Sequence, residues 1–334
     1  MLRPILAVFE PFVLALLGTV VLASFLPARG AGVPIFDALT TAAIVLLFFL
    51  HGAKLSREAL LSGARNWRLH LAVLFATFVM FPLLGLGLVA LPILDGPMAA
   101  GLLFLTLLPS TVQSSIAFTA IARGNVAAAV CSASFSNLLG IVATPVLVAI
   151  LMARPGASAS VSMESVEGIA LQLLLPFLAG HGLRPWIGGF VTRHKPLVST
   201  VDRGSILLVV YTAFSAAVVE GLWSRVSGES LAVLLATCCA LLAAVLLLTH
   251  AMGRMLGFSR EDSVVLLFCG SKKSLATGVP IAGLLFPAAQ VGAVILPVML
   301  FHQIQLIACA VIARLYAQRA ERAEAAEAAE AALS

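Results

Sequence analysis

Phe268-Cys269-Gly270-Ser271-Lys272-Lys273-Ser274-Leu275-Ala276 sets two adjacent lysines in the middle of an apolar run. Val264–Phe268 precede the pair and Leu275–Phe286 follow it. Every other Lys or Arg falls at or near the end of a hydrophobic stretch. At the centre of a bilayer span each such charge costs roughly 2.5–3.5 kcal/mol on insertion scales. Two neighbours at that depth need a cavity, partners or a lost proton, which makes the segment the leading functional candidate. The competing reading draws the span differently and leaves both lysines at an interface.

The rest of the chain supports a membrane protein. Its 334 residues are 61% hydrophobic and 10% charged, with a mean hydropathy of +1.10. A soluble domain carries about 25% charged residues. Ten apolar stretches near the ~20-residue spanning length are expected at 5–26, 34–53, 68–92, 97–122, 125–152, 164–183, 204–223, 230–256, 262–286 and 291–316. The first follows Met1-Leu2-Arg3, as a signal peptide does. Its apolar run exceeds the usual export core, and Pro27-Ala28-Arg29-Gly30 is a poor cleavage site.

Basic residues orient the bundle. With ten spans, fifteen of the twenty Lys and Arg fall on the side shared by both termini, and three (Arg29, Arg154, Arg225) on the other; Lys272 and Lys273 are the rest. By the positive-inside rule both termini are expected in the cytoplasm. The Ala-rich composition points to a bacterial inner membrane. The net charge of +5 thus records topology, and no basic run interleaved with aromatics suggests nucleic acid. Five cysteines (Cys131, Cys238, Cys239, Cys269, Cys309) sit in apolar segments without a C-x-x-C pair and read as small core residues.

The Gly/Ser/Pro stretch 153–163 divides the chain into 1–152 and 164–316, five spans each, followed by an Ala/Glu-rich tail, 317–334, read as a cytoplasmic extension of the last helix. A five-span unit crosses the membrane an odd number of times, so its tandem copy inserts upside down. This is the inverted-repeat layout of many secondary transporters. A shift of about 160 residues pairs the lysine segment with another interruption, Leu108-Pro109-Ser110-Thr111-Val112-Gln113-Ser114-Ser115. Pro109 lacks an amide donor and disfavours helix at Leu108. Interrupted spans at matching positions point to a midplane site, because free backbone groups at that depth survive only beside a cavity or ligand. Serines and threonines that merely bond back to their own helix are the plainer alternative.

Helical spacing adds further candidates. Ser134 and Asn137 share a face of the fifth stretch, and His302 and Gln305 share one in the tenth. His51, Glu10, Asp37 and Glu220 lie near span ends and read as interfacial. No Walker loop, dinucleotide fingerprint or H-E-x-x-H occurs. Ser271-Lys272 is a conceivable nucleophile pair, but adjacent residues seldom align for that proton transfer; the chain is not expected to be an enzyme.

Taken together, several segments resemble the bile acid:sodium symporter superfamily, and more closely its SBF-like branch. They are Phe48–Ser56, Leu108–Ser115, Ala122–Ala127, Ser136–Gly140, Gly270–Ala276 and His302–Gln305. The resemblance implies an all-α membrane protein of ten helices in two inverted repeats of five. It also implies a core (spans 3–5 and 8–10) moving against a panel (spans 1, 2, 6 and 7), with broken helices 4 and 9 crossing at the site. By position the resemblance points to Ser114, Ser115, Asn137 and the segment 268–273; with the residues of the two breaks and the shared helix faces, the candidate substrate and ion set is Ser110, Thr111, Gln113, Ser114, Ser115, Ser134, Asn137, Gly270, Ser271, Lys272, Lys273, Ser274, His302 and Gln305. A sodium ion is implied near Ser114, Ser115 and Asn137.

Here the chain departs from that pattern. Phe268 takes the approximate place of the acid that holds sodium in the transporting branch, and Lys272-Lys273 that of a Gln-Asn pair. An ammonium about 4 Å from a sodium ion repels it by roughly 4 kcal/mol at an effective dielectric of 20. One lysine is therefore expected to replace sodium as the internal cation, pairing with an anionic substrate or shedding its proton during the cycle. The expected function is secondary transport of a small organic anion, coupled to sodium or protons, in a lipid bilayer. The alternative is a membrane regulator or scaffold that keeps the fold without transport. A crevice reaching Lys272 or Lys273 is the feature that separates the two.

Overall fold

The computed structural model describes residues 11–54, 66–91, 94, 96–152 and 163–333. Arg3, Glu10, Arg57, Arg65, Arg154 and most of the 153–163 linker lie outside them. Among the described residues the fold is helical throughout, without strands. The helices are α1 (Pro11–Phe25), α2 (Gly32–Lys54), α3 (Trp67–Val89), α4 (Gly96–Leu107), α5 (Gln113–Ile121), α6 (Val126–Leu151), α7 (Met163–Arg193), α8 (Lys195–Val219), the single turn α9 (Leu222–Arg225), α10 (Gly228–Met255), α11 (Arg260–Gly270), α12 (Leu275–Leu285) and α13 (Ala288–Leu333). Among the described residues seven helical segments are long and apolar enough to cross a membrane, the pair α11–α12 counting as one; Leu14–Phe25 and Gly96–Leu107 are shorter apolar helices.

Each apolar stretch coincides with a helix or with a pair of short helices. The largest boundary shift is at 184–203, expected as a cationic connection. There α7 runs on through Pro176 and Pro185 to Arg193, and α8 starts at Lys195 after His194 alone. Prolines are tolerated in membrane helices because neighbours re-satisfy the freed carbonyls. The backbone of α13 stays helical into the tail, and Arg123 meets Glu321 at 3.2 Å.

Two groups of helices pack together. α2 lies along α7 and α8, and α8 along α1. Gly52 of α2 faces the Phe177 carbonyl, and Gly180 of α7 the Phe49 carbonyl; a Cβ at either position would strike backbone. The second group holds α3–α6 and α10–α13, with α11 against α3, α5, α6 and α10. Hydrophobic exposure follows the outer surface, as on Leu83, Leu247 and Ile150. Of the cysteines, four are buried, but Cys239 is exposed. Its neighbour Cys238 takes the inward face, so a helical turn of about 100° puts Cys239 outside.

Candidate functional site: two broken helices that cap each other

α4 ends at Leu107 and α5 begins at Gln113, while α11 ends at Gly270 and α12 begins at Leu275. Both sequence-located breaks exist, and the fold brings them together. The Ser274 amide donates to the Pro109 carbonyl at 2.8 Å. Ser110 Oγ donates to the Cys269 carbonyl at 2.6 Å and Ser115 Oγ to that of Phe268 at 3.1 Å. The first break thus satisfies the open carbonyl end of α11. Two close approaches allow the docking: a Cβ on Gly140 would come within 2.6 Å of the Pro109 ring, and one on Gly278 would strike the Leu108 side chain.

Lys273 returns the favour to α4. Its Nζ donates to the carbonyls of Thr77 at 2.7 Å, Thr106 at 2.8 Å and Leu108 at 2.7 Å. The residue is 1% exposed, so three N–H groups meet three acceptors away from bulk water. Each acceptor is free for a local reason. Thr106 would bond the Ser110 amide, which instead donates to Ser136 Oγ at 2.9 Å. Leu108 lies past the last turn of α4, where helix carbonyls lack partners. Thr77 lies in a π-helical segment, Ala76–Met80, where the Phe81 amide bonds Ala76. The next residue, Pro82, has no donor to offer. A cation suits this place, the negative end of the α4 dipole, and the Phe81 ring adds its face 4.2 Å from Nζ.

Lys272 points elsewhere, because 271–274 is not helical. It too is fully buried, with Nζ 3.2 Å from Ser114 Oγ and 4.3 Å from the Phe118 ring centroid. Ser114 Oγ bonds Thr111 Oγ1 at 2.9 Å, and Thr111 bonds Ser115 at 2.9 Å. The Ser271 hydroxyl donates to the Leu267 carbonyl of its own helix rather than toward Lys272.

The helices that follow the breaks bridge them. Asn137 of α6 donates to the Ser110 carbonyl at 2.6 Å and accepts from Thr277 at 2.9 Å. Gln305 of α13 accepts the Lys273 amide and donates to the Lys273 carbonyl, both at 2.9 Å, and lies 2.9 Å from His302 Nδ1.

A cavity of about 490 Å³ opens beside this crossing, between it and α1, α2, α7 and α8. Thr111, Gln113, Ser114, Ser134, Asn137, Ser274 and His302 line it. Ser110, Ser115, Gly270, Ser271, Lys272, Lys273 and Gln305 lie behind that wall, and both lysines are sealed from it. The opposite wall holds residues that sequence reasoning did not select: Lys54, Asp202 and Arg203, together with His51, which it had read as interfacial. Lys54 forms an ion pair with Asp202. The only local signal was their position near span ends, which the positive-inside count had already explained for Lys54 and Arg203.

Broken helices crossing at buried polar groups, beside a cavity in an apolar bundle that is helical throughout its described residues, are the arrangement expected of an integral membrane transporter. The chain belongs to the SBF-like CPA transporter family, whose pattern matches residues 10–318. It is 54% identical over 314 residues to the putative symporter YfeH of Escherichia coli, covering 93% of this chain and 94% of that one. A Pseudomonas aeruginosa protein is 56% identical over 312 residues, 93% of both chains. Sodium/bile acid cotransporter 7 of Rattus norvegicus is 28% identical over 281 residues, 81% of this chain and 80% of that one.

Proposed function

We propose that the protein is a secondary transporter of a small organic anion, working by alternating access with Lys273 as a tethered internal cation. The observation that carries this is the cavity: it reaches both helix breaks and meets basic groups on its far wall. Ten spans in two inverted repeats of five suit the reciprocal capping of the breaks. The similar bridging by Asn137 and Gln305, each on the helix after its break, supports the same layout. The core is α3–α6 with α10–α13, and the panel is α1, α2, α7 and α8. With cytoplasmic termini in a bacterial inner membrane, the charged end of the cavity, where α2 ends and α8 begins, faces the cytoplasm.

The donor set argues against sodium at Ser114, Ser115 and Asn137. Ser114 already accepts from Lys272, and the Asn137 carbonyl oxygen accepts from Thr277. A sodium ion beside Ser114 would meet the Lys272 ammonium at a repulsive distance. Proton coupling is the reading these contacts favour.

The scaffold alternative expects the lysines to be locked to fixed acids. The cavity reaches Ser274 but neither lysine, so the crevice expected to separate the two readings stops one residue short; what favours transport is that Lys273 is held by backbone carbonyls and not by a fixed acid. The test is uptake of taurocholate and a panel of organic acids into proteoliposomes. Uptake driven by an inward proton gradient and indifferent to sodium is expected. Uptake that collapses without sodium at fixed pH, yet survives Lys272→Gln and Lys273→Gln, overturns the internal-cation reading.

A further inference from the structure

On the cavity wall opposite the helix crossing, Asp202 of α8 is the sole acidic residue lining the cavity among the described residues. One oxygen, Oδ2, pairs with Lys54 of α2. The other, Oδ1, is buried and has no hydrogen-bond partner among the described residues. The Asp202 side chain is 10% exposed against 33% for Lys54, so the acid is the more enclosed member. An enclosed carboxylate with one oxygen unserved is held less well than a fully bonded one. Arg203 follows on the same helix, its guanidinium 5.6 Å above the Phe12 ring, and also lines the cavity. Cations thus outnumber acids on this wall, while most of the remaining lining is apolar.

We propose that Asp202 is an internal stand-in for the acid group of the transported anion and carries the coupling proton. In the resting cavity its carboxylate occupies Lys54. An incoming carboxylate or sulfonate takes Lys54 in its place, with Arg203 alongside, and its apolar body rests on Phe12, Phe48 and Phe177. The displaced Asp202 carboxylate, lacking its cation in an enclosed place, takes up one proton from the bulk solution on a carboxylate oxygen. One anion and one proton enter together. Lys54 stays charged, the anion's charge is cancelled by the ammonium and that of Asp202 by the proton, so the cavity gains no net charge. Release reverses both steps: the proton leaves, and Asp202 re-forms its pair with Lys54.

The other groups around the pair do not supply this proton place. His51 of α2 lies in the electrostatic field of both Asp202 and Lys54, but it shares a helix with Lys54 and pairs edge-on with Phe48 at 6.0 Å. His181 of α7 stacks with Phe177 and also keeps a buried ring nitrogen, Nδ1, without a partner among the described residues, but it does not line the cavity. His302 of α13 is at the far end of the cavity, tied to Gln305. The lining from α1, α5, α6 and α12 offers no titratable side chain.

The proposal rests on the transport reading only in taking this cavity as the substrate's, and its test needs no transport. Wild type, Asp202→Asn and Lys54→Met, in lipid nanodiscs, are titrated calorimetrically with octanoate and with taurocholate as tetramethylammonium salts. Two buffers of different ionisation heat count the protons. The wild type is expected to take up about one proton per anion, its affinity falling up to ~10-fold per unit of rising pH. Asp202→Asn is expected to bind at least ~10-fold more tightly near pH 8, without proton uptake and without pH dependence. Lys54→Met loses binding. Asp202→Ser, smaller and equally neutral, replaces the Asn variant should that protein not fold. Proton uptake persisting in the neutral variants, pH-independent binding by the wild type, or neither anion binding the neutral variants overturns the proposal. Failure of proteoliposome uptake with these binding results intact refutes transport and leaves the exchange standing.

Discussion

The Lys273 ammonium donates to the Leu108 carbonyl at 2.7 Å across 165 positions of sequence, joining the end of one broken helix to the break of the other. The bond makes the buried charge part of the scaffold of the crossing, since the same nitrogen holds Thr77 and Thr106.

Replacing Lys273 with Met strands three buried carbonyls. Each unmet acceptor costs about 1–3 kcal/mol, and some will find water or relax. A loss of about 3 kcal/mol is expected, read as a lower melting point in detergent. Lys272→Met leaves those carbonyls capped and is expected to destabilise less. Equal losses would show that the cage does not hold the crossing.

Gln305→Leu removes both hydrogen bonds to the Lys273 backbone and leaves an amide and a carbonyl unpaired at 0% side-chain access to solvent. About 2 kcal/mol of destabilisation follows. Gln305→Glu keeps the acceptor for the Lys273 amide and is expected to recover part of it. A Glu variant no better than Leu would contradict the geometry.

Two glycines bed the first break differently. Gly140→Ala drives a methyl within 2.6 Å of the Pro109 ring, which has no rotamer to escape into, whereas Gly278→Ala meets the flexible tip of Leu108. Overpacking of this kind costs about 1–3 kcal/mol. Gly140→Ala should sit at the high end and Gly278→Ala at the low end, compared by thermal denaturation of the purified variants.

Replacing sodium with choline at fixed pH and ionic strength is expected to leave the wild-type melting point unchanged, since a ligand of the folded state alone would raise it. A sodium-dependent rise that disappears in Asn137→Ala would restore an ion site at the crossing and remove the role given to Lys273.

The two interruptions were legible because their signals are local. Pro109 cannot donate, Gly270 loosens the chain, and polar residues stand where apolar ones surround them. The shared faces of Ser134 with Asn137 and of His302 with Gln305 followed from helical spacing alone. Cys239 was misread because adjacent helix positions face different ways, and composition does not say which of the two turns inward. Asp202 and Lys54 were passed over because a charge at a span end has an ordinary explanation.

By itself the sequence determined that this chain is a bundle of apolar helices, broken twice at matching places, with two charges that need an answer. Only the tertiary structure decided the answer. It sends Lys272 to a serine and two aromatic rings, and Lys273 to three carbonyls. Every residue carries a carbonyl, so no pattern of side chains marks which ones a π-segment, a proline and a helix end will leave open. The partners of Lys273 exist only once α3, α4 and the second break have met.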